Sequence, residues 1–337
     1  MSWFVFALIC LLGWGFADMF YKKSSDSDDR YSHLRLAVWV GLVMGAAAFI
    51  LLPFSESRLS GGSLLLNALK YSPASLGYII SMVVGYAGLR YLELSIVSPV
   101  QNASGALSMV VMLVFFAVTG QSARIGEDYN ALDFTATAII VAGVIALAVI
   151  EQQLSRAEAA ELQGANAGTQ VVNAETQKAE RKYRFGALAL LFPILYCLFD
   201  TIGTAADGII LDEESGLGLG ELDVLVLYGL TFLLAGIGAW IFLWIREKKP
   251  YNPFAKKELF SKAPAALCEE YGQIFYVYAM ARNPVLAAPL VASYCIVSVL
   301  LSRVFLKEKL KLRQYLCVAA VVIGIVLLGI SDGLKEM

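Results

Sequence analysis

The chain has few charged residues and almost no histidine, and both shortages restrict what it can do. Only 16% of its 337 residues are Asp, Glu, Lys or Arg, and its one histidine, His33, lies in a charged stretch. A histidine-based proton relay or metal cluster is therefore not available. No GxxxxGK[ST] sequence occurs, which argues against ATP-driven pumping by this chain. We find no nucleophile–base pair either, and so predict a protein that is not an enzyme and binds no cofactor.

Cysteine is scarce and is placed unfavourably for disulfides or metal binding. The five cysteines all lie inside apolar runs, and no two of them have CxxC spacing. A disulfide framework and a cysteine metal site are therefore not expected. We interpret the cysteines as small apolar packing residues, namely Cys10, Cys197, Cys268, Cys295 and Cys317.

Long apolar runs are abundant. The chain is 58% hydrophobic with a mean hydropathy of +0.68, which is too apolar for a soluble domain. A helix of about 20 apolar residues crosses the roughly 30 Å of hydrocarbon in a bilayer. We therefore predict an all-α integral membrane protein with ten transmembrane helices, called spans 1 to 10. Their expected ranges are 3–21, 34–53, 73–91, 96–118, 133–151, 185–208, 222–245, 264–282, 285–306 and 312–331.

Basic residues mark the side of the membrane that we expect to be cytoplasmic. Lys and Arg in short loops favour the cytoplasm. Most of the 26 basic residues follow odd-numbered spans, including Lys22, Arg181, Lys256 and Lys307. The sequence therefore predicts a multi-pass protein of the cytoplasmic membrane with both termini outside.

A polar segment at 152–184 divides the spans into two groups of five. It is rich in Ala, Glu and Gln, and only its start is expected to be helical. We predict a first five-helix repeat at 1–151, this polar cytoplasmic linker, and a second five-helix repeat at 185–337. An odd number of spans in each half gives the two halves opposite orientations, which is an inverted-topology repeat.

Several residues recur at corresponding places in the two halves. Each match is weak alone because apolar helices align easily, but the matches follow one order along both halves. The aligned pairs are Asp18 with Asp200, Pro99 with Pro289, and Gly143 with Gly324.

The stretch 289–329 has a pattern known from one transporter family. A proline begins span 9, a short basic turn carries the single acid Glu308, and Gln314 and Gly324 follow in the last span. The first half keeps only a Gly-Glu pair at 126–127. In this stretch, and in layout over nearly its whole length, the chain resembles the ten-span EamA-like branch of the drug/metabolite transporter (DMT) superfamily.

The resemblance implies a fold and a way of working. It implies a central cavity lined by spans 1, 3, 4, 6, 8 and 9 that opens alternately to each side of the membrane. It says much more about the fold than about the substrate.

Two spans carry an aspartate where lipid-facing residues are expected. A carboxylate inside a bilayer costs roughly 2.5–3.5 kcal/mol, so such a residue usually faces a water-filled path or a bound ion. Asp18 follows Trp14 by one helical turn, and Asp200 follows Tyr196 in the same way. Asp18 has an alternative reading as an interfacial residue, and Asp200 as a structural hydrogen-bonding acid. Asp207 is expected at the outer surface.

Span 8 carries two adjacent acids that point in different directions on a helix. Glu269 shares its face with Gln273 and Tyr276, whereas Glu270 shares its face with apolar residues. Glu269 is therefore the better candidate for the cavity. In the alternative reading both acids lie in the headgroup zone, where the start of a helix favours them.

Neutral polar and aromatic residues complete the candidate site. They come from spans 3, 4 and 9, where packing between helices is the alternative role. The predicted substrate-binding or proton-coupling residues are Trp14, Asp18, Tyr78, Gln101, Asn102, Tyr196, Asp200, Glu269, Gln273 and Tyr294.

The sign of the buried charge favours one class of substrate. The spans contain acids but no basic residue except near their ends, which suits a cation and not a phosphate sugar. Aromatic rings add cation–π contacts to an ammonium group, and buried carboxyl groups in general can carry protons near neutral pH.

We therefore predict a secondary transporter of a small organic cation, amine or zwitterionic metabolite, coupled to protons. Export of amino acids or drug-like compounds is the alternative within transport, and a non-transporting membrane accessory protein is the alternative from another class. The expected partners are a small molecule and the lipid bilayer, with no nucleic acid. A monomer is expected because a duplicated chain can close its own cavity.

Overall fold

A computed structural model describes residues 1–24, 29–55, 62–89, 97, 100–166, 191–212, 216–217, 219–306 and 310–335. These residues form helices joined by short connections, and none of them is in a strand. A 3-10 turn at Leu52–Phe54 extends the helix that ends at Leu51, and a π-helical turn at Ser302–Leu306 follows the helix that ends at Leu301. The helices are α1 Trp3–Ser24, α2 Ser32–Leu51, α3 Gly62–Gly88, α4 Ala103–Val118, α5 Ser122–Asp128, α6 Ala131–Asn166, α7 Leu191–Leu211, α8 Glu221–Glu247, α9 Lys256–Arg282, α10 Pro284–Ala292, α11 Cys295–Leu301 and α12 Leu312–Lys335.

Seven helical segments in the described part of the chain are long and apolar enough to cross a membrane. They are α1, α2 with its 3-10 turn, the first part of α6, α7, α8, α10 with α11, and α12. The predicted spans 3, 4 and 8 fall on α3, α4 and α9. Of these, α4 has 16 residues, and α3 and α9 carry polar residues in their first turns. The count of ten spans therefore stays a prediction.

The helix boundaries differ from the expected spans at several ends. α3 begins at Gly62 and α9 at Lys256, each well before the predicted span, because both helices continue through polar turns. α6 continues to Asn166, so the start of the predicted linker is helical. Some sequence predictions lie outside the described residues: Pro99, the basic turn at 307–309, and the linker from 167 to 184.

The predicted span 9 is divided into two helices with a break between them. The Asn283 side chain accepts a hydrogen bond from the Leu286 N–H, and Pro284 occupies the first turn, so the start of α10 is well defined. Pro289 has no N–H to donate within α10, which weakens the helix just before it ends. The break at 293–294 brings Tyr294 to the centre of the molecule.

Helices from the two halves of the chain pack against each other in pairs. The most extensive contacts join α1 with α9, α3 with α7, α2 with α8, and α6 with α12. The α6–α12 pair shows the arrangement in detail. A Cβ on Gly143 would press on Val321, and a Cβ on Gly324 would lie 2.7 Å from Ile140. Each helix therefore presents its glycine to a β-branched residue of the other.

One face of the helix bundle carries both ends of the described chain, and we call it the terminal face. An open depression of about 840 Å³ there is lined by residues that include Trp3, Arg124, Asp212 and Lys335. Arg124 lies 3.0 Å from Asp212, and Lys335 lies 2.6 Å from Asp133. These ion pairs join α5 to the residue that follows α7, and α6 to α12, at this face.

The opposite face carries a second group of charged contacts. Arg35 lies 3.0 Å from Asp29 and 2.6 Å from Glu247, and its guanidinium lies 5.0 Å from the centre of the Tyr251 ring. The Tyr251 hydroxyl donates to Glu258 at 2.8 Å. The contacts join α2, α8 and the start of α9 on the side that the sequence predicts to be cytoplasmic.

Candidate functional site

A polar cavity lies between the two halves of the chain, and about 70 Å³ of it is open to the centres of water molecules. All the site residues predicted from the sequence line this cavity. They are Trp14, Asp18, Tyr78, Gln101, Asn102, Tyr196, Asp200, Glu269, Gln273 and Tyr294.

The cavity contains three carboxyl groups and no described basic residue. Asp18 and Glu269 are 8% and 9% exposed, and Asp200 is partly buried. The Ser104 hydroxyl donates to Asp200 at 2.6 Å. Glu270 does not line the cavity, as the helical periodicity predicted. No group of three or more His, Cys, Asp or Glu side chains suited to a metal ion occurs in the described part of the chain.

Aromatic rings form much of the cavity wall. Trp14 stacks on Tyr276 with ring centres 5.1 Å apart, and meets Tyr294 edge-on at 5.8 Å. The Trp14 indole N–H also donates to the Glu269 backbone oxygen at 3.3 Å, which fixes the ring. Tyr21 and Tyr86 pack at 4.8 Å. An ammonium group in this cavity would therefore meet both aromatic faces and carboxylates.

Two buried side-chain amides also belong to the wall. The Nε2 atoms of Gln101 and Gln273 have no hydrogen-bond partner among the described residues. Buried amide N–H groups without partners are costly, so a bound carboxylate or hydroxyl that accepts from them would gain affinity.

Tyrosine side chains close the cavity on the side of the terminal face. The hydroxyls of Tyr78 and Tyr276 are 2.5 Å apart, and Tyr78 donates to the Thr204 hydroxyl at 3.2 Å. The Tyr78 ring also meets Tyr228 edge-on at 5.6 Å. The contacts join α3, α7, α8 and α9 across the path that would lead from the cavity to the terminal face.

Glycines let the helices around the cavity approach closely. A Cβ on Gly13 of α1 would lie 3.0 Å from the Gly272 Cα of α9. A Cβ on Gly77 of α3 would lie 2.8 Å from the Gly203 N of α7. At both contacts the added Cβ would meet backbone atoms of the facing helix, which cannot move aside. Small residues are therefore needed at these positions.

The glycine contacts place the two predicted aspartates differently from the sequence alignment. Asp18 follows Gly13 by five residues, whereas Asp200 precedes Gly203 by three. Both still face the cavity, because the second half of α1 and the first half of α7 both lie towards the opposite face.

The prediction that Asp207 lies at the outer surface is wrong. Asp207 is 0% exposed in the structure, because α3 covers it with Tyr71 and Tyr78. Sequence reasoning also missed Tyr228, which lines the cavity from α8 although span 7 was not expected to contribute. A single tyrosine in an apolar run gave no signal of its position.

Comparisons with known proteins bear on the class of protein. The sequence pattern of the EamA-like transporter family matches residues 214–330, which include α8 to α11 and most of α12. Together with the seven apolar helices, this match indicates a multi-pass membrane protein of transporter type.

The structural comparison concerns the fold. A crystal structure of another protein matches with a TM-score of 0.56 at 14% identity, over 96% of this chain and 94% of that chain. At this identity the likeness shows a shared fold alone. No curated protein gives a significant match to the sequence.

Proposed function

We propose that the chain is a secondary transporter that carries a small organic cation, amine or zwitterionic metabolite across the cytoplasmic membrane by alternating access and with proton coupling. The observation that carries this proposal is the cavity chemistry. Asp18, Asp200 and Glu269 line one aromatic-walled cavity in which no described residue is basic. Acids without counter-cations attract a cation and repel an anion.

The size of the cavity favours a small substrate. A single water needs about 10–15 Å³ of the space open to water centres. The roughly 70 Å³ available therefore suits a molecule about as large as a handful of waters. A bulky drug-like compound would require the helices to move apart.

The amide groups favour amino acids as the second candidate substrate. Gln101 and Gln273 offer N–H donors in the same cavity as the carboxyl groups. A zwitterion would place its ammonium group on the acids and its carboxylate on these donors. Export of an amino acid is the matching alternative function.

The pairing of helices supports two inverted five-helix halves at 1–151 and 185–337, joined by a linker at 152–184. In such a repeat, contacts made by a helix of one half recur with the halves exchanged. α1 packs on α9 as α7 packs on α3, while α2 with α8 and α6 with α12 form pairs of equivalent helices. Two halves of this kind rock about a shared site in alternating access.

Binding to the purified protein is the first test. Thermal unfolding is measured with choline, putrescine and alanine, and with a sugar phosphate as the anionic control. A ligand that binds the folded state raises the unfolding temperature. We expect stabilisation by an amine or by alanine, and none by the sugar phosphate. Stabilisation by the anion alone would contradict the charge argument.

Uptake into reconstituted vesicles is the second test. Asp200→Asn is expected to reduce uptake of the stabilising ligand by at least about tenfold, since loss of a buried charge pair costs more than about 1.4 kcal/mol. Glu270→Gln is the matched control, an acid of α9 outside the cavity, and should transport normally. Unchanged uptake in Asp18→Asn, Asp200→Asn and Glu269→Gln would exclude the acidic site. Absence of binding and uptake for every ligand would favour the accessory protein.

A further inference from the structure

A second buried carboxyl group lies outside the cavity, on the side of the terminal face. Asp207 lies four residues before the end of α7 and is 0% exposed. Neither of its oxygens has a hydrogen bond of ordinary length to a described residue. The hydroxyl of Tyr71, also 0% exposed, is likewise without such a bond. The site is therefore fully buried and incompletely satisfied.

The surroundings of Asp207 contain hydroxyl groups but no counter-charge. The side chains of Tyr71 and Tyr78 approach Asp207 from α3. Tyr228 of α8 and Tyr276 of α9 lie close enough to interact electrostatically with its carboxylate. Asp200, two turns earlier on α7, is the other acid nearby.

The next residue along α7 faces uncharged side chains. A Cβ on Gly208 would lie 2.9 Å from Pro284 of α10 and 3.0 Å from the Met112 sulfur of α4. A carboxylate in such a place has no counter-charge to offset the cost of losing water, and the hydroxyls of Tyr71 and Tyr78 offset that cost only in part, so burial favours the neutral, protonated form.

The position of Asp207 matches that of Asp18 in the other half. Asp207 follows Gly203 by four residues, and Asp18 follows Gly13 by five. The difference of one residue between these two offsets corresponds to only about 1.5 Å along a helix. Asp18 lines the present cavity, which lies towards the opposite face. If the two halves exchanged their conformations, as in alternating access, Asp207 would come to line a cavity towards the terminal face.

A chain of hydroxyls links Asp207 with the present cavity. Tyr78 approaches Asp207 and donates to Thr204, and its hydroxyl touches that of Tyr276. Tyr78, Thr204 and Tyr276 all line the cavity. The Tyr78–Tyr276 contact therefore separates the two acidic sites by a single layer of hydroxyl groups.

We infer that Asp207 is the site of the coupling proton, which it takes up when the molecule opens at the terminal face and gives up to the cavity on the other side once that face is closed. Uptake forms an O–H bond on one carboxylate oxygen with a proton from water at the terminal face. Release breaks that bond and passes the proton along the Tyr78 and Thr204 hydroxyls to water in the cavity. This inference rests on the proposed function, and it separates the proton site from the carboxyl groups that hold the substrate.

Infrared spectroscopy tests the protonation of Asp207 without any substrate. The C=O stretching band of a protonated carboxyl group is recorded for the purified wild type, Asp207→Asn and Asp133→Asn at neutral pH. Asp133 is the matched control, a buried acid that is ion-paired with Lys335. We expect loss of band intensity in Asp207→Asn alone. Equal band intensity in Asp207→Asn and the wild type would overturn the inference.

Vesicle transport tests the coupling role. Asp207→Asn is expected to exchange labelled for unlabelled choline, putrescine or alanine at close to the wild-type rate. It should lose accumulation driven by a pH gradient by at least about tenfold, because it has no proton to return. Asp207→Glu should restore part of that accumulation.

The outcomes distinguish this inference from the proposed function. Normal pH-driven accumulation in Asp207→Asn overturns the coupling role of Asp207 and leaves the proposed transport intact. Loss of exchange in Asp207→Asn while the variant keeps its thermal stability also overturns it, since the residue would then hold substrate. If the wild type exchanges none of the three ligands, the proposed function fails, and the infrared result alone decides whether Asp207 holds a proton.

Discussion

Single glycines set the distance between the paired helices. A Cβ on Gly41 of α2 would lie 2.5 Å from the Phe232 backbone oxygen and 2.8 Å from the Gly236 Cα of α8. The atoms in the way belong to backbone, which cannot rotate aside as a side chain can. Packing in membranes depends on such close contacts, because lipid provides no hydrophobic force that draws helices together.

Gly41→Ala is therefore expected to destabilise the protein by about 1–3 kcal/mol, the usual cost of an overpacked contact. Gly238→Ala in α8 is the matched control, because a Cβ there meets nothing within 4 Å. Thermal unfolding in detergent measures both variants. Equal unfolding temperatures for the two variants would contradict the packing argument.

At the scale of elements, the start of α9 is held to its neighbours by a charged cluster. Lys262 lies 3.0 Å from Glu258, and Tyr251 donates to the same carboxylate. Burial alone would raise the pKa of Glu258, but the hydrogen bonds from Lys262 and Tyr251 and the charges of Lys262 and Arg35 outweigh burial. The pKa of Glu258 is consequently held below its ordinary value.

This depressed pKa predicts how stability changes with pH. A carboxyl group with a lower pKa in the folded state stabilises the protein above its unfolded pKa of about 4.3, and loses that effect as pH falls through the folded pKa. Glu258→Gln should lower the unfolding temperature by about 2–4 °C at neutral pH. The difference from the wild type should shrink below about pH 4.

The control for Glu258 is a carboxyl group on an exposed surface. Glu127→Gln, in the exposed α5, should leave the unfolding temperature unchanged at neutral pH. If the unfolding temperature of Glu258→Gln stays below that of the wild type by the same amount down to acid pH, the charge of Glu258 is not responsible for the difference.

At the scale of the whole molecule, the two faces differ in how they are closed. Tyr78 and Tyr276 close the cavity towards the terminal face, where ion pairs also join helix ends. The cavity residues Asp18 and Tyr21 of α1 and Tyr196 of α7 lie towards the opposite face. The basic residues of the sequence predict that the opposite face is cytoplasmic.

Cysteine labelling tests this orientation. A membrane-impermeant maleimide is applied to intact cells that carry Ser122→Cys at the terminal face or Asn252→Cys at the opposite face. Both positions are exposed, and four of the five native cysteines are buried. We expect labelling of Ser122→Cys in intact cells, and of Asn252→Cys only after permeabilisation. The reverse pattern would invert the predicted topology.

Most of the site was predictable from the sequence because local periodicity decides which residues share a helix face. Glu269, Gln273 and Tyr276 lie on one face of α9 by their spacing alone, and the structure places all three at the cavity. A carboxyl group in an apolar run has few stable environments, so Asp18 and Asp200 also pointed to the interior. The membrane class followed from composition in the same way.

The sequence by itself determined that the chain is an apolar helical protein and which helix faces are polar, because both depend on residues near each other in the chain. Only the tertiary structure decided which helices meet and how far they are shifted along one another. Tyr71 and Tyr78 bury Asp207, although more than a hundred residues separate them in the sequence. The contacts at Gly13 and Gly203 place Asp18 and Asp207 at corresponding heights in their helices. No local pattern encodes such contacts, since each depends on the fit of two distant helices.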